Sequence, residues 1–253
     1  MNAWPASHQI LVDGWLIRIS NGFTKRANCV VPLYATPATD PDPLQTDLLN
    51  KVRYCENLYA REQLQTIFRL TSESTPPTAT AEHPLDVVLE QRGYQRVDPT
   101  RVQIADLRAL PSAADTTAGP NTNFQIVTAT QWLRAYSALA AMPAPAAELH
   151  ANLIRSIRPD CAFALLSVAG TPAVCALGVL EHNLLGLFDV ITAETYRGQG
   201  LAEQLLDQLL SWGARRGAEH AYLQVIAANT PALSLYRRLG FVDLYHYWYR
   251  QTG

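Results

Sequence analysis

The clearest chemistry in this sequence lies in six consecutive residues, Arg197, Gly198, Gln199, Gly200, Leu201 and Ala202. An apolar run, Leu184 to Ile191, precedes them, and an amphipathic stretch from Leu201 to about Ala214 follows. The order reads as a buried strand, a short turn, a glycine-rich loop and the start of a helix. Backbone N–H groups at Gly198, Gly200, Leu201 and Ala202 can converge at the positive end of the helix dipole, which makes an anion site. Glycine keeps side chains from holding the anion off the backbone, and Arg197 adds a fixed positive charge. The physical reading is a pyrophosphate cradle. The loop lacks the Lys-Ser or Lys-Thr of a Walker A loop, which argues against a Mg-nucleotide. It also lacks the three-glycine spacing of a dinucleotide fingerprint, and no acidic residue ends a following strand in the expected place.

The pattern Arg-Gly-x-Gly-x-Ala after a strand resembles the acetyl-CoA loop of the GCN5-related N-acetyltransferases. A second match follows one helix and one strand later, in family order: Asn229, Ala232, Leu235, Tyr236, Gly240 and Phe241. The resemblance covers residues 122 to 253. It implies a mixed sheet whose central parallel strands splay apart, with the pantetheine arm of acetyl-CoA entering the gap. That arm would pair with the strand edge at Val190, Ile191 and Thr192, as an added strand does. The loop from Arg197 to Ala202 would hold the pyrophosphate. The reaction implied is direct attack of a neutral amine on the thioester, without an acyl-enzyme. By family position the Tyr236 hydroxyl points at the thioester sulfur and donates a proton to the leaving thiolate, and Asn229 hydrogen-bonds the pantetheine arm. The plain alternatives are a core aromatic for Tyr236 and a helix cap for Asn229.

The base is harder to place. Many family members carry Glu early in the central strand, and counting back from Arg197 that place is Gly186. Strand alternation puts Asp189 on the face opposite Gly186, Phe188 and Val190. Glu181 and His182 read as solvated residues of the preceding turn. Deprotonation through water completes the set of options.

The elements that must position these groups can be read along the chain. Trp15 to Ser20 alternates as a strand, Asn21-Gly22 is a hairpin signal, and Lys25 to Leu33 reads as a second strand. Residues 35 to 43 form a proline-rich loop. A helix from Leu44 to about Arg61, a strand from Gln65 to Leu70, a loop over 71 to 83, and a short helix from Leu85 to Arg92 follow. Tyr94 to Asp106 supplies a last strand or pair of strands. This order, with Gly93-Tyr94 over Gly240-Phe241, echoes residues 184 to 250. The first half therefore reads as a degenerate copy without the glycine loop. In that loop's place stands YATPATDPDPLQ, which has two acidic residues and no glycine.

Residues 108 to 123 are small, polar and proline-bearing, a linker composition. The expected division is a degenerate domain over 1–110, a linker over 111–121 and a catalytic domain over 122–253. In the second domain Thr130 is a candidate N-cap for a helix carrying Trp132, Leu133, Tyr136 and Leu139. A second helix spans about Ala146 to Ile157, and the family places acceptor choice in this pair. Two apolar strands, Cys161 to Val168 and Pro172 to Leu180, join at Ala169-Gly170-Thr171. Thr230 reads as an N-cap before an N1 proline. The run Phe241 to Arg250 reads as a final aromatic strand, whose cluster Tyr245, Tyr247, Trp248 and Tyr249 is either an edge strand half buried against a neighbour or a wall that closes the acceptor pocket. The fold class expected is α/β (α+β): two acyl-CoA N-acyltransferase-like domains in tandem, each a mixed, mostly antiparallel sheet flanked by helices.

Composition limits the partners. With 253 residues, 48% of them hydrophobic, and a net charge of −2, the chain has ample core and no basic block. Neither a nucleic-acid surface nor an anionic membrane partner is expected. The N-terminus lacks a signal-peptide pattern, and no apolar run approaches the roughly 18 residues that span a membrane. Cys29, Cys55, Cys161 and Cys175 show no C-x-x-C spacing and read as buried thiols, so no metal is expected. The reading is a cytoplasmic acetyl-CoA-dependent N-acetyltransferase, monomer or homodimer, acting on a primary amine of a small molecule or peptide. The rival is a non-catalytic acyl-CoA-binding or partner-binding scaffold.

Overall fold

A computed structural model describes residues 1–34, 41–72, 84–108 and 121–253. Residues 35–40 of the proline-rich loop expected over 35–43, residues 73–83 of the loop expected over 71–83 and residues 111–120 of the expected linker lie outside the described residues, while 41–43 open the first helix, Pro41–Arg61, instead of a loop. The chain forms two compact units. One comprises Met1–Ala3, Val102–Val225 and Asn229–Asp243, and the other Trp4–Arg101, Ile226–Ala228 and Leu244–Gly253.

The second of these, the N-terminal unit, contains β1 (His8–Val12), β2 (Trp15–Ile19), β3 (Val30–Pro32), α1 (Pro41–Arg61), β4 (Ile67–Ser72), α2 (Pro84–Gln91) and the first part of β5 (Gln95–Asp106). It also takes in most of the chain's last strand, Val242–Gln251. Strand order in this unit is β1-β2-β3-β4, then the last strand, then β5. The strands β1 and β2 form a hairpin, paired from His8↔Ile19 to Val12↔Trp15. Asp13 and Gly14 both take positive φ, 44° and 77°, the geometry of a tight two-residue turn. The strand before the turn is largely exposed, so no alternation marks it. The strand expected from Lys25 is shortened. Lys25–Ala27 is a 3-10 turn, and only Val30–Pro32 pairs as strand. The Asn28 carboxamide holds this segment, accepting from the N–H groups of Ser20 and Gly22 and donating to the carbonyls of Phe23 and Thr24.

The aromatic run near the C-terminus is not an edge strand. It runs antiparallel to β4 from His246↔Ser72 to Gln251↔Ile67 and has β5 on its other side. Two-sided pairing explains why Tyr247, Trp248 and Tyr249 are all buried. The Arg250 guanidinium is buried too. It forms a two-pronged ion pair with Asp86 in the first turn of α2, at 2.8 and 2.9 Å, and donates to the Tyr94 carbonyl at 2.9 Å.

The larger unit contains the end of β5, then β6 (Thr122–Ile126), α3 (Ala129–Leu139), α4 (Ala144–Ser156), β7 (Asp160–Val168), β8 (Thr171–Glu181), β9 (Leu184–Thr192), α5 (Leu201–Ala214), β10 (His220–Ile226) and α6 (Thr230–Arg238), with the last strand, β11, beginning at its end. Its strands run in the order β5-β10-β9-β8-β7-β6. The pairs β6/β7, β7/β8 and β8/β9 are antiparallel, and β9/β10 is parallel. The fold is thus mixed α/β with mostly antiparallel pairing. The N-cap of α3 is Thr128 rather than Thr130: its hydroxyl accepts from Gln131 N–H while the Gln131 side chain returns to the Thr128 backbone, a capping box. The α5 face Leu205, Leu206, Leu209 and Leu210 packs on Ala162, Ala164, Val174, Leu185 and Leu187. That burial fixes where the N-terminus of α5 lies. Among the described residues no helix is long and apolar enough to cross a membrane.

Candidate active site

The glycine loop takes the shape that its residues require. After Thr192 the chain makes a 3-10 turn, Glu194–Tyr196, and α5 begins at Leu201. Gly198 and Gly200 both have φ of 74°, a left-handed conformation that costs other L-residues energy. A Cβ at either would meet no atom within 4 Å, so backbone conformation, not crowding, selects glycine here. Gly200 is the N-cap of α5, and no side chain occupies the cap. The first N–H groups of a helix have no intrahelical partner, and here the residues that lead into them, Arg197 to Gly200, are all exposed. Gln199 is spent locally, donating to the Thr195 carbonyl at 3.0 Å. The arrangement can hold an anion on backbone N–H groups at a helix N-terminus.

The strand leading into the loop has an open flank. Parallel pairing of β9 with β10 runs from Leu184↔His220 to Leu187↔Leu223, yet β9 continues to Thr192 and β10 to Ile226. Val190, Ile191 and Thr192, all half-buried, lie in the stretch beyond that pairing. On its other side β9 carries a bulge. Cys175 opposes Ile191 and Leu177 opposes Phe188, so Ala176 alone faces both Asp189 and Val190. Asp189 is the extra residue, with φ of 49°.

The bulge overturns the alternation argument for Asp189. Val190 packs with the α5-side core, whereas the Asp189 carboxylate turns to the α3–α4 side and accepts from His150 Nε2 at 2.7 Å. Asp189 therefore shares a face with Gly186 and Phe188 and lies opposite Val190.

Val190, Leu201, Ala202 and Tyr236 gather on one hydrophobic cluster. Tyr236 is 8% exposed and meets Phe241 edge-on, with ring centroids 5.9 Å apart. Burial pushes its phenol up to about 12, so it carries its proton at neutral pH. Asn229, not Thr230, is the N-cap of α6: its Oδ1 accepts from Ala232 N–H at 3.2 Å, with Pro231 following. Its amide group remains at the exposed start of that helix.

Gly186 cannot be replaced by the family's glutamate without rearrangement. A Cβ there would lie 2.6 Å from Phe188 and 2.8 Å from the Tyr222 ring, and those two rings meet edge-on. Glu181 and His182 sit at the β8–β9 turn, where Glu181 accepts from Asn2. That is the opposite end of nine-residue β9 from the loop, a span of roughly 25–30 Å at ~3.3 Å per residue.

Asp189, His150 and Tyr136 form a cluster that sequence reasoning did not assemble. His150 is 1% exposed and Asp189 15% by side chain. Tyr136 also hydrogen-bonds Asp189, and burial together with that carboxylate pushes its phenol well above the usual range. The signal was a lone polar residue in the buried stripe of α4, which reads His150, Leu153, Ile154. Among the described residues no group of three or more His, Cys, Asp or Glu side chains could hold a metal ion.

Residues 1–250 match the family described as "Probable histone acetyltransferase Rv0428c C-terminal". The "Uncharacterized N-acetyltransferase YobR" of Bacillus subtilis (strain 168) is 25% identical over 250 residues, covering 98% of this chain and 94% of that protein. A solved "GCN5-related N-acetyltransferase from Kribbella flavida" superposes with TM-score 0.68 at 17% identity, covering 98% of this chain and 90% of that one. A "Tandem GNAT protein from the clavulanic acid biosynthesis pathway" superposes with TM-score 0.67 at 14% identity, covering 89% and 75%. The two structural likenesses concern the fold, while the family match spans nearly the whole sequence. The chain belongs to the family described as "Probable histone acetyltransferase Rv0428c C-terminal", within the GCN5-related N-acetyltransferases, and is an acyltransferase of that type.

Proposed function

We propose that this chain moves an acetyl group from acetyl-CoA to a primary amine of a small molecule or peptide, by direct attack of the neutral amine. One observation carries the reading: the left-handed glycines 198 and 200 open α5 immediately after the strand that has parted from β10. Arg197, Gly198, Gln199, Gly200, Leu201 and Ala202 would hold the pyrophosphate through backbone N–H groups and one guanidinium. Val190, Ile191 and Thr192 would pair with the pantetheine arm, and the Asn229 amide would hydrogen-bond it. Acetyl-CoA, when bound, supplies an activated acyl carbon and a thiolate leaving group. Tyr236 gives its proton to that sulfur.

The division into a degenerate domain over 1–110, a linker over 111–121 and a catalytic domain over 122–253 belongs to the same proposal. Residues 244–253 return to the N-terminal unit. The absence of an Arg-Gly-x-Gly-x-Ala loop from the first half supports one acetyl-CoA site per chain. The protein would act in the cytoplasm as a monomer or homodimer, without metal, nucleic acid or membrane. The description of the family, a probable histone acetyltransferase, makes a basic peptide the first acceptor to test.

Tyr236→Phe is expected to keep acetyl-CoA affinity within about twofold. It should lower kcat by about 100-fold, the usual scale for one proton-transfer group. Calorimetry and release of free thiol measure the two effects. Unchanged turnover would remove Tyr236 as the acid.

A further inference from the structure

We propose that Asp189 is the group that takes the proton from the acceptor amine, with His150 and Tyr136 as its positioning residues. The inference rests on the acetyltransferase reading and deepens it. Three observations carry it. The position from which a glutamate would act, Gly186, is closed by Phe188 and Tyr222. The bulge brings a carboxylate to that same face two residues before Ile191, on the strand whose free flank begins after Leu187. And the carboxylate is held from two helices at once: His150 Nε2 lies 2.7 Å away from α4, and the Tyr136 hydroxyl bonds it from α3.

The support around this cluster is rigid. Trp132 stacks on Tyr136 with ring centroids 4.9 Å apart and planes at 17°, and His150 leans on both rings at 4.9 and 5.9 Å. The Trp132 indole N–H donates to the carbonyl of Ala176 at 3.1 Å, the residue that the bulge doubles against. Helix α3 thus steadies both strands of the bulge. A side chain with only bulge geometry to maintain has no need of an ionisable anchor, because burying a carboxylate is costly unless its lone pairs are satisfied. Two donors leave lone-pair capacity on the carboxylate for a third, an ammonium group. Asp is also one of the few non-glycine residues that tolerates the left-handed backbone found here.

Asp189 takes one proton from the acceptor's ammonium and releases it to water. The freed lone pair forms the C–N bond as the C–S bond breaks. Tyr236 protonates the sulfur, and the second proton leaving nitrogen restores the phenol through solvent. The titratable groups facing Asp189 are His150 from α4, Tyr136 from α3 and Cys175 from β8, whose thiol burial pushes up to about 12.

The test uses the full chain and three probe amines: a lysine-bearing basic peptide, a peptide with an N-terminal alanine, and n-butylamine. Asp189→Asn suits the positive φ and keeps the side-chain shape. It is expected to leave acetyl-CoA affinity within twofold and to lower kcat/KM at pH 7 by roughly 100-fold. The variant's rate should then climb about tenfold per pH unit toward the probe's own pKa, as solvent supplies the free amine, while the wild type levels off earlier. Tyr136→Phe keeps the stack on Trp132 and removes one donor. It should lower kcat several-fold while the KM for acetyl-CoA stays within twofold, a split that a general loss of folding would not give. An equal loss at every pH in Asp189→Asn, or weakened acetyl-CoA binding, would reduce Asp189 to a bulge clasp and overturn the assignment alone. A wild type that fails to bind acetyl-CoA would sink the underlying reading. A wild type that binds it yet acetylates none of the probes would overturn the assignment of this carboxylate to an amine.

Discussion

Gly198→Glu is expected to weaken acetyl-CoA binding by about 100-fold or more. The backbone at 198 has φ of 74°, and the space beside it is open. A glutamate would therefore fit sterically but project a negative charge into the volume assigned to the pyrophosphate. Each charge-assisted hydrogen bond from backbone N–H to phosphate is worth about 1.5–3 kcal/mol. Losing one of them, with repulsion added, reaches the ~2.7 kcal/mol that a 100-fold change represents. Gly198→Ala separates charge from conformation, since it brings the backbone strain without the carboxylate. It should cost only a few-fold in affinity. Equal losses in the two variants would assign the effect to the loop's shape.

Asp86→Ala should be the most damaging single change in the N-terminal unit, lowering stability by about 3 kcal/mol, the lower end for breaking a buried pair. Arg250 is 6% exposed by side chain and Asp86 18%. Removing Asp86 leaves the guanidinium with only the Tyr94 carbonyl and the exposed Glu90 carboxylate, 3.5 Å away, and also frees the Trp248 indole N–H, which donates to Asp86 at 2.7 Å. Trp248 is in turn covered by the Arg96 guanidinium, 4.0 Å from its ring centroid. A melting temperature lower by roughly 10 °C is the expected readout. The same pair sets an acid limit. Burial opposes ionisation of Asp86, but hydrogen bonds from Arg250 and Trp248 and the Arg250 and Arg96 charges outweigh it, so the carboxyl sits below its usual range. A depressed folded-state value means that the stabilisation is present above the unfolded value, near pH 4, and disappears as pH falls through the folded value. Urea midpoints between pH 3 and 7 should fall steeply below about pH 4 in the wild type and less so in Asp86→Ala. Parallel curves would place the acid sensitivity elsewhere.

Sequence patterns were most informative where local chemistry decides conformation. The loop from Arg197 to Ala202 was legible because left-handed backbone and a bare helix N-terminus both call for glycine in a fixed order. The α5 stripe was legible because one face of the helix meets the core at helical period. What escaped was set by long-range pairing. The aromatic run near the C-terminus looks like an edge strand by composition, and only its insertion between β4 and β5 explains three consecutive buried aromatics. The β1–β2 hairpin escaped because an exposed strand has no alternation to reveal it. Asp189 was placed on the wrong face because strict alternation cannot foresee a bulge. In the two helix caps, Thr128 and Asn229 each had a rival hydroxyl one or two residues on, and sequence alone does not rank such neighbours.

The most direct test of the central claim is calorimetric titration of acetyl-CoA into the wild-type chain. Binding should saturate at one site per chain, from the single glycine loop. Two sites per chain would contradict the degenerate reading of the first half, and no binding at all would contradict the pyrophosphate assignment of Arg197 to Ala202.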